Sequence, residues 1–150
     1  MVYLPQIPVA YIDIEFFAHA TEDLEKVMEA VKHILPANRL EEIDFKKNSL
    51  RGHHGNPIVF FETKIDGKEL VKAVIDSIFS HLSMLDKDVL RREIEMHVEK
   101  GSFYLRLDKQ AAFQRIVTLG IADPIRLRIR FRKGKIEEII KICEELGVLT

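Results

Sequence analysis

The stretch PIRLRIRFR, residues 124–132, sets Arg126, Arg128, Arg130 and Arg132 in strict alternation with Leu127, Ile129 and Phe131. Successive side chains of a strand point to opposite faces. One face of this segment therefore enters a core and the other carries four guanidiniums. Such a half-buried strand belongs in an antiparallel sheet with one face covered. Arginines two residues apart on that face are separated by about 6.6 Å, comparable with the step between phosphates on an extended single strand.

Working outward, residues 8–18 alternate in the same way. Ala10, Ile12, Ile14, Phe16 and Ala18 share one face, and Val9, Tyr11, Asp13, Glu15 and Phe17 the other. Residues 101–108 form a third strand, with Phe103, Leu105 and Leu107 inward and Tyr104 and Arg106 outward. IVFFETKI, residues 58–65, is a fourth, and residues 41–50 a fifth with Ile43 and Phe45 on one face. Between them lie helical stripes. One starts at a Thr21 N-cap, runs through Leu24, Val27, Met28 and Val31, and ends near Pro36. Others span 67–82, 86–98 capped by Asp86, and 135–146 stopped by Gly147. Residues 109–116 read as a short helix or turn. The expectation is an α+β fold: a mostly antiparallel sheet, helices packed on one face, two layers, and one domain over residues 1–150.

Composition agrees with a folded chain. Of 150 residues, 47% are hydrophobic and 31% charged, outside the disordered range. No run reaches the roughly 18 apolar residues of a membrane span, and the opening residues lack a signal-peptide pattern. The single Cys143 excludes an intrachain disulfide, which points to a reducing, cytoplasmic setting. The absence of Trp, with only three Asn and three Gln beside abundant Lys, Glu and Arg, leans thermophilic. The formal net charge is −1, so any affinity for nucleic acid must come from local segregation of charge. Residues 126–135 hold six cations and no acid.

Arginine is the side chain best shaped for phosphate, because its planar fork donates twice. Arg126, Arg128 and Arg130, with Arg106 on the neighbouring pattern beside Tyr104, therefore form a candidate RNA-backbone surface. The competing reading pairs Asp13 and Glu15 across strands with these arginines. The face is then structural, and an exposed sheet face or edge docks a partner or a second copy of the chain.

Two further runs stand out. In GHHGNP, residues 52–57, two glycines and Asn-Pro make a turn between strands. His53 and His54 match no zinc spacing and have no nucleophile beside them. No catalytic residue, metal or cofactor is assigned, and a metal-dependent enzyme built on this pair is the outlying reading. As a ligand-contacting loop the same run would offer His53, His54 and Asn56 to RNA. In LRLDKQAAF, residues 105–113, the alternatives are a strand-to-helix corner or a polar cluster of Arg106, Lys109 and Gln110 at the sheet edge. His19, His33, His81 and His97 read as structural or exposed.

LRGHHGNPI, FYLRLDKQAAF and DPIRLRIRF, in this order, resemble an archaeal family of predicted RNA-binding proteins or exosome subunits. The resemblance runs from about residue 8 to the last helix. That family is similar in fold to the large-subunit ribosomal protein that holds five-S RNA. The resemblance implies RNA as partner, possible contact with RNA-degrading complexes, no known catalytic residue, and Gly52, His53, Gly55, Asn56, Arg106, Lys109 and Gln110 as motif positions. His54 departs from the aromatic expected there. Two readings follow: a non-catalytic RNA-binding protein, or a protein-interaction or homodimerisation module.

Overall fold

The structure is a computed structural model that describes residues 8–132 and 134–147. Lys133 of the cationic run lies outside them. Six strands form one sheet in the order β2-β3-β1-β6-β5-β4. They are β1 (Val9–His19), β2 (Lys46–Arg51), β3 (Pro57–Ile65), β4 (Val98–Glu99), β5 (Ser102–Asp108) and β6 (Pro124–Phe131). Every pairing is antiparallel. The helices are α1 (Leu24–Lys32), α2 (Lys68–Phe79), α3 (Met84–Arg92), α4 (Ile94–His97), α5 (Lys109–Ala112) and α6 (Ile136–Glu145). This is the α+β arrangement the alternating strands require.

The inward residues of β1, β5 and β6 join helix stripes in one apolar cluster. Ile12, Ile14 and Phe16 of β1, Phe103 and Leu105 of β5, and Leu127 and Ile129 of β6 are all buried. Val27 and Val31 of α1, Val74, Ile75 and Ile78 of α2, and Ile139 and Cys143 of α6 meet them. Phe16 stacks on Phe61 at 5.0 Å and meets Phe45 edge-on at 5.4 Å. Burial pushes the Cys143 thiol up to about 12, so it is an inert core residue.

Several boundaries move for local reasons. Val9 is buried rather than outward, because the β1–β6 register shifts between Val9 and Tyr11; a bulge turns the strand end over. Asp23, not Thr21, caps α1, accepting from the backbone N–H groups of Glu25 and Lys26. That helix stops at Lys32, short of Pro36. Residues Ala37–Glu42 form a 3-10 helix, so β2 begins only at Lys46. Ser83 caps α3 through the Asp86 N–H. The Asp86 carboxylate instead accepts from Thr118 Oγ1 at 2.8 Å. The span 86–98 breaks at Glu93 into α3 and α4, and its end becomes β4.

The connection from α5 to β6 folds back along β5. Asp108 N–H donates to Thr118 O at 2.9 Å, and Gly120 N–H to Arg106 O at 3.0 Å. A Cβ on Gly120 would stand 2.6 Å from the Asp108 Cα. Backbone has nowhere to retreat here, so the position needs Gly. Gly120→Ala is expected to destabilise the fold by about 1–3 kcal/mol, read as a lower urea midpoint at unchanged m-value.

Candidate nucleic-acid interface

The face of the sheet away from the core is polar, and its register sorts charge by strand. Glu15 of β1 sits between Glu62 of β3 and Arg126 of β6, and Arg106 of β5 lies beyond Arg126. One row along, Asp13 sits between Lys64 and Arg128, with Tyr104 beyond. The acids Asp13, Glu15 and Glu62 thus lie on β1 and β3, with Lys64 among them, and the guanidiniums on β6 and β5.

Arg106 and Arg126 are direct cross-strand partners. Their Cα atoms are therefore about 5 Å apart, and like charges placed so repel. Both residues are exposed. Arg126 has one acid near it, Glu15, at 3.8 Å; Arg106 has none among the described residues within ion-pair distance. Arg128 stands 3.9 Å from Asp13, while its Nε donates to Ser102 Oγ at 3.0 Å. Arg130 donates to the Lys100 carbonyl. The acid contacts of Arg126 and Arg128 exceed hydrogen-bond length, so their forks keep donors for a ligand. Rings accompany the cations: Tyr11 lies beneath Lys64 Nζ at 4.1 Å, Arg128 is 6.0 Å from Tyr11, and Arg126 is 6.0 Å from Phe17. Tyr104 is 40% exposed.

Asp13 faces this array from a half-buried position. Desolvation raises its carboxyl above the ordinary range, against the lowering pull of Lys64 and Arg128 and with a further push from Glu62.

Both motif loops arrive at one end of the sheet. His19 pairs with Ile58, Arg51 with Pro57, and Asp108 with Pro124. The Gly52–Asn56 loop is a tight hairpin turn. Gly52 N–H donates to Asn56 O at 2.7 Å and Gly55 N–H to Gly52 O at 2.9 Å, with Gly55 at φ 79°. His53 and His54 are exposed and meet edge-on at 5.1 Å. They lie at the β2 edge, with β3 and β1 between them and β6. The turn expectation holds, and the loop is not brought onto the arginine ladder.

Lys109 corrects the sequence reading. It does not share a surface cluster with Arg106 and Gln110. Its side chain is 0% exposed. Lys109 Nζ donates to Phe17 O at 2.7 Å and Glu22 Oε1 at 2.9 Å, and stands 2.6 Å from Asp123 Oδ2. An ammonium has three protons, and this one has three acceptors. Asp123 Oδ1 also lies 3.0 Å from His19 Nε2, and Glu22 Oε1 accepts the His19 N–H at 2.9 Å. Gln110 is exposed beside this group. His19, Glu22 and Asp123 gave little signal in the sequence. The one local cue is Asp123 before Pro124, where the chain adopts φ 48°.

With the geometry in place, the relationship to known proteins is direct. The chain belongs to an archaeal RNA-binding family, whose model matches residues 11–131. An uncharacterised protein of Methanocaldococcus jannaschii is 38% identical over 91% of this chain and 97% of its own. An RNA-binding protein of Pyrococcus abyssi is 30% identical, over 89% of this chain and 90% of its own. A DUF54-family protein of Archaeoglobus fulgidus, known from its crystal structure, superposes with a TM-score of 0.78 at 26% identity, over 92% of this chain and 99% of that one. No helix among the described residues is long and apolar enough to cross a membrane.

Two expectations test the site. Lys109→Met leaves Glu22 and Asp123 without their buried cation and is expected to cost about 3–5 kcal/mol, measured by urea unfolding at neutral pH. For Asp13 the sign follows from its raised pKa. The folded state holds this proton more tightly than the unfolded state does, so the contribution to stability is full below the unfolded Asp value. It is lost as pH rises through the folded one. Wild type should therefore lose stability relative to Asp13→Asn as pH climbs through that window, in paired denaturant titrations.

Proposed function

We propose that the chain is a non-catalytic RNA-binding protein that holds the RNA backbone on the β6–β5 part of its open sheet face. Arg106, Arg126, Arg128 and Arg130 would take phosphates, and Tyr104 and Tyr11 would stack on bases or sugars. The observation that carries this reading is the direct cross-strand pairing of Arg106 with Arg126. Folding gains nothing from two opposed guanidiniums, whereas a phosphate between them would turn their repulsion into two charge-assisted contacts. The family's RNA-binding description supports the same partner.

Gln110 would contribute at the end of this face. His53, His54 and Asn56 would serve only an RNA long enough to cross β1 and β3. Lys109 acts as a positioning residue that sets the end of the sheet. The described core is one contiguous cluster, which favours residues 1–150 working as one domain. Service to an RNA-degrading complex is the cellular role implied by the resemblance to exosome subunits. It would require a protein-contact surface besides the arginine face.

The competing reading, a face saturated by its own acids, rests on the Glu15–Arg126 and Asp13–Arg128 proximities. Fluorescence anisotropy with single- and double-stranded RNA at two salt concentrations separates the two. Binding should weaken steeply with salt. Arg106→Ala with Arg126→Ala should lower affinity by about 10- to 100-fold and flatten the salt dependence by roughly two phosphate contacts. Asp13→Asn should bind more tightly than wild type. No RNA binding at low salt would overturn the proposal.

A further inference from the structure

The arginine ladder does not end at Arg126. Along β1, Glu15, Phe17 and His19 follow one another on the polar face, and His19 opens onto a cavity at the end of the sheet. The cavity is about 440 Å³ and is lined by His19, Glu22, Lys26, Gln110, Phe113 and Asp123, among others. Asp123 stands three residues before Arg126, about 10 Å along an extended chain. A strand of RNA lying on Arg128 and Arg126 reaches the cavity within one or two nucleotides.

The lining has a definite hydrogen-bonding character. Glu22 and Asp123 present acceptors, and their orientation is fixed from behind by Lys109. Each carboxylate offers about four acceptor sites. Glu22 Oε1 takes the His19 N–H and Lys109, whereas no described hydrogen bond reaches Glu22 Oε2. Asp123 spends one oxygen on His19 and the other on Lys109. Gln110 is exposed, with no described partner for its amide, and Phe113 supplies a half-buried aromatic wall. Donors are present too, in the Lys26 ammonium and the Gln110 amide, but the two fixed carboxylates give the lining its acceptor character.

His19, Glu22 and Asp123 have ligand atoms within 4.8 Å of one another, which raises a metal ion as an occupant. Lys109 argues against it. Its ammonium already stands within 2.9 Å of both carboxylates, so the cation of this cluster is built into the chain. A phosphate is equally ill suited, since the two carboxylates would face it.

The geometry points to a nucleobase subsite: the cavity receives one base of the bound RNA and selects a base that carries an exocyclic amino group. Phe113 supplies the stacking surface, Glu22 and Asp123 accept the amino protons, and Gln110 pairs with a neighbouring ring position. Uracil places a carbonyl where cytosine carries its amino group, so it is disfavoured against the carboxylates. This inference rests on the RNA-binding reading and adds base selectivity to it.

The test uses the full chain and a labelled twelve-residue oligouridine with one central substitution. Cytidine is compared with uridine, and guanosine with inosine; guanosine carries an exocyclic amino group that inosine lacks, and cytidine one in place of a uridine carbonyl. The amino-bearing member of each pair is expected to bind about tenfold more tightly. Gln110→Ala should shrink that ratio several-fold on a protein that still binds the all-uridine strand at low salt. Equal affinities within both pairs, on a protein that still binds the all-uridine strand, would overturn the base subsite and leave backbone binding standing. Failure of every oligonucleotide to bind at low salt would overturn both.

Discussion

A single buried ammonium ties the end of this fold together. Lys109 lies where β5 turns into α5, yet its Nζ reaches a carbonyl of β1, the carboxylate just ahead of α1 and the carboxylate just ahead of β6. Burying such a charge costs several kcal/mol unless every proton is met. Here the three protons have three acceptors, and no described buried side-chain polar atom is left without a partner. The requirement fixes four chain segments relative to one another. It also decides where His19, Gln110 and Phe113 stand, and so shapes the cavity at the end of the sheet.

The second constraint is register. Strand β6 lies between β1 and β5, so its outward arginines have acids on one side and Arg106, Tyr104 and Ser102 on the other. The net charge of −1 is therefore not spread evenly. The face is divided, with three carboxylates and Lys64 over β1 and β3 and guanidiniums over β6 and β5. An anionic polymer meets a field with a direction, which steers its approach and orients it toward the β5 side.

Much of the fold was legible because it depends on period. The alternations in 9–19, 102–108 and 124–131 are local patterns that only one pleated arrangement satisfies, and the stripes of α1, α2 and α6 likewise. Boundaries were less legible where capping groups compete. Asp23 and Ser83 are chosen over Thr21 and Asp86 by the direction in which the chain enters each helix. The arginine face was visible as a face, but which acids oppose it depended on strand order.

The sequence by itself determined the two-faced strands, the hairpin at Gly52–Asn56 and the family to which the chain belongs, because each is written in neighbouring residues. Tertiary structure alone decided that Lys109 is interior, that Arg106 opposes Arg126, and that His19, Glu22 and Asp123 meet. Arg106 and Arg126 are 20 positions apart, and Asp123 lies more than 100 positions from His19 and Glu22. Their meeting depends on which strands lie side by side, and strand adjacency is set by the packing of the whole apolar face rather than by any local pattern.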